Sequence, residues 1–510
     1  MNRLLTTLLA IFCYTSIFAT EWHNPTSRET SPMQGIYWQG DERESYLDKL
    51  PLRAKKSLSK KEWAAANSTN GVSVRLRTSS PNITIKCQME TATETAICYL
   101  YGTDNHGSTT KMEGSITHQG NTITHSFKDI KFSSSVHKNR GYDYQLWLPE
   151  VGRVESLEIG VDDGAFFDFK DCREELPIVV YDCEGEGTLW SRTLGVDMDR
   201  PIVSLGGNTM RFVAEIAAKA FVVDGAPKKL STIIDGVNAI RRNHPQTPIL
   251  VSKEEVYEAL TLSGFEQIYI YDNSGCAPKL REVLSCPIDE ISTTRPVVQS
   301  RAGSIEWYDQ CNCILRDLRS GKFKSAVLGN SIVQNWIGDA PHKIRNGGGK
   351  VGRLGKDSWE RYMDGFINMG IGADRVENLL WRVYNDQFEI VQFDRIIIMI
   401  GTNNIKLKNT YDEIAAGIDN LISQIQIRQP QAQIVVVGVL PRKDMSWADV
   451  QSLNAKVEPY AIKRGVKYVN VGAALLDEND IPRSEFYGDN VHLSAQGYMA
   501  YSEALMRELK

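Results

Sequence analysis

Histidine is scarce in this 510-residue sequence: there are eight, and beyond residue 300 only His342 and His492 occur. The sequence also has no block of lysine and arginine with interleaved aromatic residues, and its formal net charge is only -5. These absences exclude a nucleic-acid surface, and they leave few candidates for a catalytic imidazole. Beyond the N-terminus, no apolar run is long enough to span a bilayer.

The N-terminus begins with Met1-Asn2-Arg3, continues with a mostly apolar stretch over residues 4–18, and reaches Ala19 before polar residues. This pattern is typical of a secretory signal. The apolar stretch is too short for a membrane anchor, and Cys13 lacks the small preceding residues of a lipoprotein signal. We therefore expect a signal peptide over residues 1–19 and a bacterial protein that is exported to the periplasm or the exterior.

Eight cysteines follow this stretch, and in an exported protein several are expected to pair. The pairs that lie closest in sequence are Cys87/Cys98, Cys172/Cys183 and Cys276/Cys286. The sequence alone does not fix the connectivity. The C-x-C at Cys311 and Cys313 has no Cys/His group near it, so neither a zinc site nor any other metal or cofactor is expected.

Hydrophobic patterning predicts three folded parts after the signal. Short alternating runs at roughly ten-residue spacing predict an antiparallel β-sandwich; they cover 72–77, 82–88, 96–101, 121–127, 144–148 and 154–161. Apolar strands at 178–181, 202–205, 219–223 and 249–251 alternate with helical stretches such as 229–242, and a second such series has strands at 326–328, 366–369, 395–400, 433–439 and 467–471 and a helix at 411–428. Alternating strands and helices predict parallel α/β layers. The expected domains are 20–168, 169–298 and 299–510.

Residues that could carry chemistry lie in the last part. Asp489 stands three residues before His492, ahead of a helical tail, so its carboxylate can orient one imidazole nitrogen while the other faces a cleft. Ser331 follows a strand and begins a helix, where its backbone N-H and the helix end would face a developing oxyanion. Taken alone, Ser331 is better explained as a helix cap, and Asn403 as a loop-stabilising side chain.

Five sequence blocks in this part of the chain favour catalytic roles for Ser331 and Asn403 instead. They are Leu328-Gly329-Asn330-Ser331, residues 368–375 with 377–382, residues 401–404, residues 438–442 and residues 489–494. In order and spacing, residues 324–510 resemble an SGNH (GDSL-type) hydrolase, especially the catalytic-subunit branch of the platelet-activating-factor acetylhydrolases. The resemblance implies a flavodoxin-like, three-layer fold for each α/β unit.

The resemblance also implies roles for individual residues. Ser331 would be the nucleophile, His492 the general base and Asp489 its orienter; the oxyanion donors would be the N-H groups of Ser331 and Ala373 and the side-chain amide of Asn403. An amide suits this role because it donates without titrating. Two positions depart from the family. Asn330 replaces the usual Asp, which removes a charge but leaves the triad intact. Ala373 replaces the usual Gly, which predicts a narrower or differently contoured acyl site.

Other candidate groups have simpler explanations. His342 has no carboxylate at a triad-like spacing and is expected at a rim. The glycine-rich stretch 347–352 lacks the Ser or Thr of a phosphate loop and is expected to be a flexible rim over the active site.

The first α/β unit resembles the same fold in bacterial proteins that carry an N-terminal β domain with a G-x-D-L-Y motif, matched here by residues 141–145. Its first strand leads into Asp182-Cys183-Glu184 where such proteins have the serine turn. Its single histidine, His244, is expected at a helix end, without a D-x-x-H. Cys183 could replace the serine, but without a base a structural role is better supported. We expect a catalytically inactive copy.

The sequence therefore predicts an exported serine esterase that removes small acyl groups, most of all O-acetyl, from carbohydrate. The alternatives are a lipid or thioester acyl hydrolase, and a non-catalytic glycan-binding protein in which both units are inactive. The expected partner is an acylated carbohydrate; the sequence does not give the sugar or the oligomeric state.

Overall fold

The computed structural model describes residues 20–27, 31–104, 107–131, 141–183, 190–272, 275–289, 291–299, 307–337 and 355–509. Over these residues the chain has a mixed α/β, multidomain architecture with four sheets, two antiparallel and two parallel. Among the same residues, no helix has the length and apolar character that crossing a membrane requires. The expected signal peptide lies outside the described residues.

The N-terminal part contains two antiparallel sheets, ordered β1-β10-β4-β8-β7 and β11-β3-β9-β5-β6, with β2 paired to β3. Every second residue of β4 is buried, as expected for a strand with one face in a core. Side chains from both sheets, including Leu76, Ile85 and Ile159, meet in one hydrophobic core. The strands are β1 Thr20–His23, β2 Met33–Gln34, β3 Ser73–Thr78, β4 Ile83–Met89, β5 Tyr99–Thr103, β6 Thr109–Lys111, β7 Ser115–Gln119, β8 Thr122–Phe127, β9 Tyr142–Trp147, β10 Val154–Asp162 and β11 Phe167–Phe169.

The first parallel sheet has the order β13-β12-β14-β15-β16. Its strands are β12 Ile178–Asp182, β13 Ile202–Gly206, β14 Ala220–Asp224, β15 Ile249–Val251 and β16 Ile268–Ile270. The helices are Ser191–Met198, Met210–Val213, Leu230–Asn243, Glu254–Leu262 and Cys276–Val283. All five residues of β12 are buried, which is the pattern of a strand covered on both faces.

Residues between β2 and β3 cover one face of this first parallel sheet. Trp38, Leu50 and Trp63 share a hydrophobic cluster with residues of β12, β13 and β14. The helix Lys60–Ala66 in this stretch begins with a capping box between Ser59 and Glu62. The first α/β unit therefore obtains part of its core from the N-terminal part of the chain.

The second parallel sheet has the same type of order, β18-β17-β19-β20-β21. Its strands are β17 Ser325–Gly329, β18 Phe366–Gly370, β19 Arg395–Met399, β20 Gln433–Val437 and β21 Lys467–Val469. Helices Trp307–Arg319, Val376–Tyr384, Tyr411–Arg428 and Trp447–Lys463 pack on one face, and helices Ser331–Ile337, Lys356–Tyr362 and Ala495–Leu509 pack on the other. The short helix Thr402–Lys406 follows β19. Because the strands are parallel, the loops after β17, β18 and β19 meet at one edge.

The strands predicted for both parallel sheets are confirmed to within two residues at each end, and the predicted helix 411–428 is confirmed. The runs predicted between residues 72 and 161 all form strands as well. The short strands β1, β2, β6, β7, β11 and β16 were not predicted. Three of these six, β2, β11 and β16, are only two or three residues long, so they are too short to show an alternation of apolar and polar residues.

Two of the expected disulfides are wrong. Cys172 is not bonded to Cys183; its Sγ donates to the Met33 carbonyl at 2.8 Å. Cys276 and Cys286 are also unbonded. Cys276 packs in a core of the first parallel sheet, whereas Cys286 packs in a core of the second. Closeness in sequence therefore does not bring these thiols together.

The third expected pair differs from these two. The Sγ atoms of Cys87 and Cys98 are buried and 3.4 Å apart, without a bond between them. The two thiols come from the two antiparallel sheets, because Cys87 lies in β4 and Cys98 directly precedes β5. A disulfide at this place would join the two sheets.

Candidate active site

The candidate nucleophile lies in a tight turn after β17. A side chain at Gly329 would bring its Cβ to 2.4 Å from Val333 and 2.5 Å from the Met399 carbonyl, so only glycine fits. The side-chain oxygen of Asn330 accepts a hydrogen bond from the N-H of Ile332 at 2.9 Å. Asn330 therefore caps the helix that Ser331 begins, and an amide serves as cap without the charge of an aspartate.

Ser331, His492 and Asp489 form a continuous hydrogen-bonded chain. The Ser331 Oγ lies 2.8 Å from His492 Nε2, and His492 Nδ1 lies 2.7 Å from an Asp489 carboxylate oxygen. The predicted nucleophile, base and orienter are thus brought together from the two ends of this unit. This is the geometry in which an imidazole can take a proton from a hydroxyl while a carboxylate fixes its orientation.

The carboxylate of Asp489 is held as an anion. Its second oxygen accepts hydrogen bonds from the backbone N-H groups of Val491 and His492, both at 2.7 Å. Burial would raise the pKa of Asp489, but these bonds and the imidazole outweigh it, so the pKa lies below its ordinary value. The side chains remain accessible, with exposed fractions of 31% for His492 and 57% for Asp489.

The two other expected oxyanion donors lie on neighbouring loops. Ala373 has a φ of 64°, in the left-handed region, so the glycine usual at this position would be less strained. The Asn403 Nδ2 donates to the Asp374 carbonyl at 2.9 Å, which ties the loop after β19 to the loop after β18. The N-H of Ile371 donates to the Gly329 carbonyl at 3.1 Å, which ties that loop to the nucleophile turn.

A buried ion pair below the Ala373 loop was missed by the sequence analysis. The carboxylate of Asp374 is 2.9 Å from Arg382 Nη1 and accepts from Trp307 Nε1 at 2.7 Å and Gln299 Nε2 at 2.9 Å. Burial raises the pKa of Asp374 to about 6, although Arg382 and Trp307 oppose the shift. Arg382 also donates to the Met369 carbonyl. Both residues stand in the block 368–382, but a salt bridge eight residues apart has no local sequence signal.

Arg442 connects the Asn403 loop to the D-x-x-H loop. Its guanidinium donates to the Thr402 carbonyl at 2.9 Å and pairs with Asp444 at 2.8 Å. The next residue, Lys443, donates its backbone N-H to the Asn490 carbonyl at 2.8 Å. The loops that hold the amide and the imidazole are therefore fixed to one segment.

The remaining candidates do not join this site. His342 and the glycine-rich stretch 347–352 lie outside the described residues. His244 is where the sequence places it, at the end of the helix Leu230–Asn243. In the described part of the chain, no group of three or more His, Cys, Asp or Glu side chains could hold a metal ion.

With this geometry established, comparison with known proteins identifies the family. Residues 327–500 match the family model described as the GDSL-like lipase/acylhydrolase family. Residues 20–167 match a second model, described as the N-terminus of the SGNH-hydrolase type of esterase. The chain belongs to the SGNH hydrolase superfamily. The second match covers the G-x-D-L-Y-like residues 141–145, so the resemblances expected for the N-terminal β domain and for residues 324–510 are confirmed.

Individual relatives of this SGNH protein match only parts of it. Platelet-activating factor acetylhydrolase IB subunit alpha2 of Homo sapiens is 34% identical over 138 residues, 26% of this chain. The match spans 58% of that relative's length. Subunit alpha1 of Bos taurus is 37% identical over 157 residues, 30% of this chain and 60% of the relative. A Bacteroides ovatus protein described as a GDSL-like lipase is 18% identical, with a TM-score of 0.41 over 50% of this chain and 88% of that one.

Proposed function

We propose that this protein is a serine esterase that removes O-acetyl groups from carbohydrate. The observation that carries the proposal is the chain from Ser331 Oγ through His492 to Asp489, with contacts of 2.8 and 2.7 Å. His492 would take the proton of Ser331 as the hydroxyl attacks the ester carbonyl, and would return it to the leaving sugar oxygen. A water activated by the same imidazole would then release the acid and free Ser331.

The charge on the tetrahedral intermediate would be stabilised by the N-H groups of Ser331 and Ala373 and by the Asn403 amide. These groups would act best where the carbonyl oxygen becomes an anion, since preorganised donors stabilise developing charge more than the neutral ester. Asp489 would keep the imidazole in the required tautomer.

Two features support a short acyl group and a carbohydrate alcohol. Two relatives that are 34% and 37% identical to parts of this chain are named as acetylhydrolases. The His492 and Asp489 side chains are open to solvent, which suits an ester on a glycan chain better than a lipid that must enter an apolar tunnel. The expected export signal and the β module fit the same substrate class. The name of those relatives also favours a second candidate, an acetyl ester carried by a lipid.

The finer architecture belongs to the proposal as well. We assign residues 1–19 to a signal peptide, 20–168 to a β-sandwich, 169–298 to an inactive flavodoxin-like unit and 299–510 to the catalytic flavodoxin-like unit. The strand order of both parallel sheets, 2-1-3-4-5 in sequence numbering of each unit, supports this assignment.

A set of chromogenic acetate, butyrate and octanoate esters tests the chemistry. Wild-type protein should prefer acetate, and Ser331→Ala should lower kcat by at least about a thousandfold, since a triad works as one unit. Ser320→Ala, a change of an exposed serine outside the site, should leave kcat unchanged. An inactive wild type would leave only the glycan-binding alternative, and a preference for octanoate would refute the acetylesterase.

Acetate release from natural substrates tests whether the alcohol that carries the acetyl group belongs to a carbohydrate or to a lipid. The proposal requires release from O-acetylated polysaccharides of plant or host origin and little release from vesicles that contain an acetylated ether phospholipid. The reverse result would establish the lipid candidate.

A further inference from the structure

A cavity of about 550 Å³ lies where the N-terminal sheets, the first α/β unit and the catalytic unit meet. Its wall includes Arg75 of β3, Arg281 of the first unit, and Tyr308 and Trp381 of the catalytic unit. The triad residues do not line it. This volume is typical of small-molecule sites, which occur preferentially between domains.

The charges around this junction cavity are unbalanced. Six basic side chains and three acidic ones line it; the basic ones are Arg75, Lys170, Arg173, Arg200, Arg281 and Arg295. Lys170, Arg173 and Arg200 are paired with carboxylates at 2.8, 2.8 and 2.9 Å. Within the described residues, Arg75, Arg281 and Arg295 have no carboxylate at ion-pair distance.

Arg75 is the most informative of the three. It is only 6% exposed, and its one side-chain hydrogen bond within the described residues goes to the Asp171 carbonyl at 2.7 Å. Its guanidinium lies 4.2 Å above the ring of Tyr308. The neighbouring carboxylate of Asp143 attracts Arg75 over a longer distance but is itself paired with Arg77 at 2.6 Å, so an anion in the cavity would add to the stabilisation of the buried Arg75 charge.

Arg281 and Arg295 supply a second cationic edge. Arg281 donates to the Asp197 carbonyl, and the guanidinium of Arg295 has no hydrogen-bond partner in the described part of the chain. Burial lowers the pKa of Arg281, and the nearby Arg295 lowers it further, while Asp197 opposes the shift. Their mutual repulsion would decrease on binding a carboxylate.

Aromatic rings and carboxylates that can accept hydrogen bonds form the rest of the cavity wall. Arg173 stacks on Tyr308 at 5.2 Å and on Trp381 at 5.1 Å, so these rings are held in place. The carboxylate of Asp199 already accepts from Trp381 Nε1 at 2.6 Å and from Arg173. Rings pack well against the C-H face of a sugar, and carboxylates accept from its hydroxyls. The three lining carboxylates disfavour a dianion such as phosphate.

We propose that the junction cavity is a second, non-catalytic site for a carboxylate-bearing monosaccharide unit, such as a uronic acid. The carboxylate would lie at the edge formed by Arg281 and Arg295, and the sugar ring beside the half-buried Tyr308. The anionic part of this assignment rests on the arginines; the sugar part rests on the proposed function.

Calorimetric titration of the full-length Ser331→Ala protein tests the site without turnover. Galacturonic acid should bind at least tenfold more tightly than galactose and than acetate alone. Arg295→Gln, a change of an exposed arginine, should weaken galacturonate binding about tenfold, as expected for a lost charged hydrogen bond. Arg211→Gln, an exposed arginine outside the cavity, should have no effect.

Three outcomes would overturn the site: no binding of galacturonate or glucuronate at millimolar concentration, equal binding of galactose, or equal binding to the Arg295→Gln protein. Hydrolysis of chromogenic acetate by the Arg295→Gln single variant should match wild type. An active esterase without uronate binding would refute this site alone, and uronate binding by an inactive wild type would refute the proposed function alone.

Discussion

Asn403 and Asn404 are adjacent amides, and their surroundings predict opposite effects of substitution. Asn403 is half-buried, and one N-H of its amide donates to the Asp374 carbonyl while the other has no partner among the described residues. Asn404 is fully buried. Its amide oxygen accepts from the Val376 N-H at 3.1 Å, and its Nδ2 donates to Glu377 at 2.9 Å.

The magnitudes follow from these contacts. Asn403→Ala should lower kcat by about 10²–10³, or about 2.7–4 kcal/mol of transition-state stabilisation, as for other oxyanion donors. It should change stability by no more than about 1 kcal/mol, because one partly exposed hydrogen bond is lost. Asn404→Ala leaves the buried Val376 N-H without a partner, at about 1–3 kcal/mol, and removes one hydrogen bond from Glu377, whose other carboxylate oxygen remains 3.1 Å from Arg375.

Both variants should be compared for kcat on chromogenic acetate and for the denaturant midpoint of unfolding. Asn403→Ala should lose activity at an unchanged midpoint, and Asn404→Ala should lower the midpoint. A kcat within threefold of wild type for Asn403→Ala would refute its role as an oxyanion donor. Equal destabilisation by the two variants would restore the interpretation of Asn403 as a loop-stabilising side chain.

Three other substitutions give independent tests. Oxidation of Cys87 and Cys98 should raise the melting temperature, since closing a loop of this length contributes about 3 kcal/mol; Cys98→Ser should abolish the rise, and a rise that persists would refute the pair. Burial lowers the pKa of Lys49 to about 7, so stability should be lost as pH falls from about 10 towards 7, by at most about 1.4 kcal/mol per pH unit. Lys49→Met should flatten this slope, and an unchanged slope would contradict it. Ala373→Gly should relieve about 1 kcal/mol of left-handed strain and raise the ratio of butyrate to acetate turnover; an unchanged ratio would show that the methyl group does not shape the acyl site.

The sequence predicts the catalytic unit well because its signals are local. Each strand of the second parallel sheet is a short apolar run; Ser331, Ala373 and Asn403 stand within four residues of a strand end, whereas His492 stands just before the last helix. In a parallel sheet the strand ends share one edge, so Ser331, Ala373 and Asn403 can be placed near each other without knowledge of the packing, whereas His492 is added by its D-x-x-H motif and the family resemblance. The hydrophobic pattern of the sequence also predicts the helix that begins at Ser331 and the helix that ends before His244.

The parts that the sequence does not predict depend on contacts between distant segments. Strand β1 pairs with β10, so Thr20 faces Asp162 across the ladder, and its own residues are mostly exposed. Lys49 donates to the Ser204 carbonyl at 2.5 Å, 155 residues away. The ion pair of Asp374 and Arg382 likewise depends on Trp307 from another helix. No periodicity in one segment encodes such partners.

The two parallel sheets differ at the last residue of the first strand of each sheet, which in the second sheet precedes the Ser331 turn. In the first sheet, Asp182 at the end of β12 lies opposite Gly206 and Asp224. In the second sheet, Gly329 holds the equivalent position at the end of β17 and lies opposite Gly370 and Met399. The neighbouring glycine is therefore kept, but the glycine of the nucleophile turn is an aspartate. A Cβ at Gly329 would lie within 2.5 Å of its neighbours, so a chain with a side chain there cannot make the same turn. We therefore expect that a serine introduced after Asp182 would not by itself restore a site in the first unit.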